Sequence, residues 1–212
     1  MRAALLVAAL LAALPARAGD TEEGPSQGRL EAWLAVGGTV GRQDIGLGLV
    51  NRRGWGPGLG VRAGLPFEVA DKLSLGVWGG LDALGGPMAS SLDDGGGYLR
   101  WGFEGGGQVG YVWRRVQLLA RVGKYWLSDN ATQQHFTDPA FFSGWLLRLR
   151  ADQGPLSAEV GFGLGEFSHE HLVFRYRTSF LSCPGIMLEH FDASGFTQTS
   201  STHLRVFWSV DF

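Results

Sequence analysis

Lysine is nearly missing from this 212-residue chain: of 18 basic residues, only Lys72 and Lys124 are lysines. A water-facing surface normally mixes lysine with acids, so the shortage implies that much of the surface does not face water. Cysteine is scarcer still. Cys183 stands alone, which excludes an internal disulfide and a disulfide-built scaffold. Charged residues make up only 18%, and the formal net charge is −2. That balance gives no bulk attraction to nucleic acid, which is not an expected partner. What is abundant is glycine, with 34 residues. It has no Gly-X-Y period, so collagen is excluded. A hydrophobic share of 45% excludes disorder.

Residues 1–18 read as an export signal. Arg2 supplies a short positive start, "AALLVAALLAAL" is an apolar run too short to span a membrane, and Ala16-Arg17-Ala18 fits a small-x-small cleavage site. The alternative is an N-terminal anchor that is retained. No cysteine follows the run, so acylation as a lipoprotein is unsupported. Residues 19–28, "GDTEEGPSQG", are polar and are expected to form a flexible tail. The remainder, 29–212, shows no convincing helix.

What recurs there is alternation, the mark of strands with two unlike faces. Eight segments are expected as strands: 30–41, 55–67, 73–84, 98–112, 116–127, 141–151, 156–167 and 202–212. Each has about the ten residues that a tilted membrane strand needs. Short turns are expected near 68–71, 113–115 and 152–154. Longer connections are expected near 42–54, 85–97, 128–140 and 168–201. This alternation predicts an all-β, eight-stranded, antiparallel up-and-down transmembrane barrel, with both termini at the tight-turn end. Two further alternating runs, "DIGLGLV" and "HLVFRYRTSF", are read as projections above the membrane, and ten strands are the alternative.

The apolar faces carry almost no charge; Lys124 is the main exception and is expected to snorkel near a strand end. The opposite faces combine glycine with charges of both signs: Glu31, Arg62, Asp82, Arg100, Glu104, Arg121, Arg148, Arg150, Glu159 and Arg205. Paired guanidinium and carboxylate groups suit a narrow barrel interior, and the glycines leave room for them. Trp55, Tyr98, Trp101, Tyr111, Trp113, Trp126, Phe141 and Phe212 collect near strand ends, where bilayer interfaces favour aromatic rings. Trp33 and Trp78 fall on interior faces.

The last strand, "HLRVFWSVDF", has Leu204, Val206, Trp208, Val210 and Phe212 on one face. With this ending, the chain from residue 29 on resembles the small outer-membrane β-barrel proteins of Gram-negative bacteria, the OmpA/OmpX-like group. The resemblance implies that the terminal pattern is an insertion signal read by the assembly machinery. It also implies Sec-type export, an outer-membrane location with 19–28 on the periplasmic side, and contact with outer-membrane lipid and lipopolysaccharide. The implied function is structural, or surface binding of an unknown extracellular ligand or partner through long loops. A narrow polar channel is one alternative, and a lipid A-modifying enzyme is another; no enzyme activity and no cofactor are expected.

Gly105-x-Gly107-x-x-Gly110 has the spacing of a dinucleotide fingerprint, but no helix follows it, so it is read as accidental. His169 and His171 are the candidate metal ligands, with Glu166, Glu189 and His190 near them; solvated loop residues are the plainer reading. Ser168 beside His169, with Glu166 or Glu170, has the residue types of a nucleophile, base and orienter, but it lacks the His-x-Ser-Asn motif of the deacylases. The interior charges form either a salt-bridged plug or a pore lining, and a lumen narrow enough for side chains to fill favours the plug. Cys183 is read as a loop thiol, free or in an intermolecular disulfide. The Asn130-Ala131-Thr132 sequon carries little meaning in a bacterial chain.

Overall fold

The computed structural model describes residues 29–44, 49–90, 96–129, 141–165, 168–178, 182–193 and 199–211. They form ten strands: β1 (Arg29–Asp44), β2 (Leu49–Ala70), β3 (Leu73–Ser90), β4 (Gly96–Trp113), β5 (Val116–Asp129), β6 (Phe141–Gln153), β7 (Leu156–Gly165), β8 (Ser168–Tyr176), β9 (Cys183–Ala193) and β10 (Thr199–Asp211). Each strand pairs with the next, and β10 pairs antiparallel with β1, so the sheet closes into a barrel. The export signal, the 19–28 tail, Phe212, Glu166 and the Asn130 sequon lie outside the described residues.

The barrel has ten strands, which corrects the expectation of eight. The difference lies in 168–201, expected as one long connection. That stretch holds β8 and β9. The "HLVFRYRTSF" run does not project above the barrel, because β8 is a wall strand paired on both sides. In β9 the polarity rule fails. Cys183, Met187 and Phe191 are buried inside, while Ile186 and Leu188 face out. Both faces mix apolar and polar residues, with Glu189 also inside and His190 and Asp192 outside, and the leading Pro184-Gly185 has the chemistry of a turn. The expected connections at 42–54 and 85–97 are largely strand as well, since β1 runs to Asp44, β2 starts at Leu49 and β3 runs to Ser90.

The register defines the dimensions. A path across the ladder from Arg29 passes Gly64, Trp78, Gly106, Gly123, Leu146, Gly163, His169, Phe191 and Ser201, and returns to β1 at Gly41, twelve residues higher. With strands about 4.7 Å apart and about 3.3 Å per residue, that stagger gives a tilt of about 40° and a backbone radius of roughly 10 Å. The rim is slanted: β2 has 22 residues and β8 only 9. The turns at the end near Arg29 are tight, and Gly154 takes a φ of 56°, the region glycine tolerates best.

Outward residues are apolar and exposed: Leu34, Val36, Leu59, Leu65, Val77, Leu81, Val122, Leu147, Leu204 and Val206 among them. On β4, Tyr111 and Trp113 mark a lower aromatic level and Trp101 and Phe103 an upper one. Ten residues separate Tyr111 from Trp101. At about 2.5 Å of axial rise per residue that is roughly 25 Å, the height of the apolar band on membrane barrels. Phe67 and Tyr176 join the lower level; Trp55, Trp126 and Trp145 join the upper. Tyr98 and Phe141 lie in strands, but their side chains are outside the described set.

Inside, two apolar clusters pack beside the charges: Trp78, Tyr125, Leu127, Leu146 and Phe191, and Trp33, Ala35, Val173, Met187 and Phe207. Glycines face the largest groups. A Cβ on Gly60 would strike the Trp33 ring, and one on Gly161 would strike the His171 ring.

Candidate functional site

The distinctive feature is the lumen. Alternation along each strand turns Glu31, Arg62, Asp82, Arg100, Glu104, Arg121, Arg148, Arg150, Glu159 and Arg205 inward, where they meet across the barrel. Three linked sets arise at successive heights.

Nearest the tight-turn end, Glu31 accepts from Arg150 Nη1 and, at 2.9 Å, from Arg175 Nη1. Arg150 Nε also donates to Asp152 Oδ1 at 2.8 Å. In the middle, Arg62 Nη2 donates to Glu104 Oε1 at 2.9 Å, and Arg148 Nη2 donates to Glu104 Oε2. Arg148 Nη1 lies 2.9 Å from Glu159 Oε1, and Arg62 Nη1 lies 3.4 Å from the same atom. Arg62 Nη1 is also 3.8 Å from Glu31, which joins these two sets. Towards the other end, Arg100 and Arg205 each bridge the same two carboxylates. Their Nη1 atoms reach Asp82 Oδ2 at 2.8 and 2.7 Å, and their Nη2 atoms reach Glu189 at 3.1 and 2.6 Å. The result is a closed ring across β3, β4, β9 and β10.

Two forked guanidinium groups suit this ring because each presents two parallel N–H donors, which an ammonium cannot do. Aromatic rings fill the space between arginines. Arg62 lies over Trp33, Arg121 over Trp78, Arg100 over Phe191 and Arg175 over Phe207, at 5.0 to 5.6 Å from the ring centroids. Two cavities border these groups. One of about 30 Å³ touches Asp82, Arg100, Glu104, Arg148, His169 and Glu189; one of about 10 Å³ touches Arg150, Arg175 and Cys183. Both are water-sized.

His169 and His171 are buried on the inner face of β8 instead of solvated at a loop. His171 Nε2 is 2.7 Å from Arg148 Nη1 and 3.1 Å from Glu159 Oε1. Without a proton it accepts from the arginine; with one it donates to the carboxylate. His169 stacks on Phe191 at 4.4 Å and lies 3.6 Å from Glu189. His190 faces out and bonds Thr202 at 3.0 Å. Among the described residues, no group of three or more His, Cys, Asp or Glu side chains is arranged to hold a metal ion. Ser168 is exposed while its neighbour His169 is buried, so the two lie on opposite faces of β8. Gly105, Gly107 and Gly110 all lie within strand β4.

Leu204, Val206 and Trp208 face outward on β10, with Val210 half-buried. Cys183 is buried on β9. Glu189, Arg175 and Asp152 belong to the charge network, yet their sequence context did not single them out as lumen groups. The signal for the first two was parity alone. Extending the β8 alternation puts Arg175 on the same face as His171, and Glu189 two steps from Met187.

No family model matches the chain, and no curated relative matches its sequence. Solved structures of similar fold do. An outer-membrane channel from Pseudomonas putida F1 shares 12% identity, covering 93% of this chain and 100% of its own, at a TM-score of 0.45. Ail, the attachment invasion locus protein of Yersinia pestis, solved in complex with the heparin analogue sucrose octasulfate, shares 12% identity over 87% and 99%, at 0.34. Neisserial surface protein A shares 10% over 85% and 97%, at 0.33. These neighbours are outer-membrane barrels, and at such values the likeness carries nothing about the role of this chain. Its own geometry sets the class: a closed antiparallel barrel, apolar outside and ion-paired within.

Proposed function

We propose that the chain is an integral outer-membrane β-barrel with a closed lumen, serving as a structural or surface-binding protein at its loop end. The observation that carries the closed lumen is the ring formed by Arg100, Asp82, Arg205 and Glu189, stacked on the Glu104 and Glu31 sets. A passing ion would have to displace charge-assisted bonds at three heights. The membrane assignment rests on the apolar band of roughly 25 Å between aromatic levels. On this reading a Sec-type route exports the chain. The assembly machinery reads its terminal strand, and lipid with lipopolysaccharide surrounds it.

The test is reconstitution into planar bilayers after folding is established by heat-modifiable gel mobility. Silent bilayers are expected. Unitary conductance steps at neutral pH would establish the channel alternative instead. Recovery of the chain only as a soluble periplasmic protein would overturn the membrane assignment. We read the barrel as non-enzymatic; lipid A mass spectra from cells with and without the gene are expected to match, and an altered acyl or phosphate pattern would refute that.

A further inference from the structure

Lys124 occupies an unusual place on the outer wall. It faces outward between Val122 and Trp126, and β5 continues five residues beyond it to Asp129. β5 thus runs two residues further past it than the expected 116–127 strand. Other outward strand charges among the described residues lie nearer strand ends: Arg53 and Glu170 towards the loop end and Glu68 beside the tight turn. A lysine on the lipid face is costly at the midplane and nearly free of penalty near the interface. Lys124 sits just below the upper aromatic level, so its ammonium reaches the headgroup boundary.

What surrounds it is aromatic, and no acid lies beside it among the described residues. In register it pairs with Gly105 on one side and Trp145 on the other, with Nζ 5.3 Å from the Trp145 ring centroid. One step towards the loop end, Trp126 stacks on Phe103 at 4.6 Å, and Phe103 stacks on Trp101 at 6.4 Å. Towards the tight-turn end and across to β3, the outward positions Gly79, Gly105 and Gly107 carry no side chain. A Cβ on Gly107 would meet nothing nearer than 3.9 Å. The wall thus offers a cation set just under and beside flat aromatic faces, with a shallow apolar groove below it.

From this cluster, and resting on the outer-membrane reading above, we propose a binding site for a phosphorylated glycolipid of the outer leaflet. Its phosphate pairs with Lys124, a sugar ring lies against the exposed Trp145 face, and an acyl chain follows the glycine groove. A glycerophospholipid would satisfy the cation and the groove but would leave the aromatic faces without a ring to stack on. Lysine near anionic headgroups contributes about 1 kcal/mol, which is roughly fivefold in affinity.

The experiment is native mass spectrometry of the full-length barrel, folded in detergent and titrated with bisphosphorylated lipid A, dephosphorylated lipid A or phosphatidylglycerol. Wild type and Lys124→Arg are expected to retain one lipid A. Lys124→Gln is expected to retain it about fivefold less, as is wild type offered the dephosphorylated form. Equal retention of the two lipid A forms by wild type would overturn the proposal without any variant having to fold. Equal retention of phosphatidylglycerol would overturn the glycolipid assignment. A wild-type chain that shows no heat-modifiable folding would strike the outer-membrane reading instead, so the two failures are distinct.

Discussion

Replacing Glu159 by glutamine keeps the shape of the plug and removes one charge from its middle. Glu159 Oε1 serves Arg148 at 2.9 Å, Arg62 at 3.4 Å and His171 at 3.1 Å, while Oε2 is 3.9 Å from Arg121. The residue is only 1% exposed, so water cannot take over its role. Removing one partner of a buried ion pair costs about 3–5 kcal/mol, because the other charge stays buried. Glu104 still serves Arg62 and Arg148, which places the expected loss near the lower end, about 3 kcal/mol. With a urea dependence of about 1–3 kcal/mol per molar, the midpoint should fall by roughly 1–3 M. The assay is urea unfolding in lipid vesicles, read by heat-modifiable mobility and tryptophan fluorescence. Asp71→Asn, at an exposed turn, is the control and should stay within about 0.5 kcal/mol. Adding Arg148→Met to Glu159→Gln should recover part of the loss, since it removes the surplus buried positive charge and leaves Glu104 paired with Arg62. A Glu159→Gln midpoint equal to that of wild type would refute the view that the network is mutually dependent.

Gly60→Ala forces the buried Trp33 ring to move and should cost about 1–3 kcal/mol, while Gly107→Ala, in open space, should be neutral in the same unfolding assay. Val122→Lys puts a cation two residues closer to the midplane than Lys124 and should cost about 2–4 kcal/mol; a neutral result would show that the apolar band is misplaced. Cys183, 2% exposed, should resist maleimide in the folded barrel and react fully in denaturant, as mass shift reports; rapid labelling of folded protein would contradict its placement.

The wall of the barrel was legible wherever one face is apolar and the other is polar or small. That holds for β1 to β7 and for β10, and the inward direction of Arg62, Arg100, Arg148 and Arg205 follows from the same parity. It broke down where the interior itself turns apolar. On β9, Met187 sits in one interior cluster and Phe191 in the other, with Glu189 the one charge between them, so β9 shows little contrast between faces and its Pro184-Gly185 start reads as a turn. The strand count failed with it. The upper parts of β1 and β2 were hidden for another reason: Arg52 and Arg53 look like loop chemistry, but a strand that rises above an apolar band has no need to alternate. The pairing pattern within the plug lay beyond sequence, because which arginine meets which acid depends on the twelve-residue stagger of the sheet.

That stagger has a kinetic side. Glu31, on the first strand, binds Arg150 and Arg175, which follow it by 119 and 144 residues. Contacts so distant in sequence are slow to form. Until the first and last strands meet, those guanidinium groups lack their Glu31 partner, although Arg150 keeps Asp152 two residues away. Closure supplies the missing partner and removes the last free edge at one moment. On the outer-membrane reading, closing the sheet and burying its charges are therefore expected to occur together, with the first strand acting as the latch.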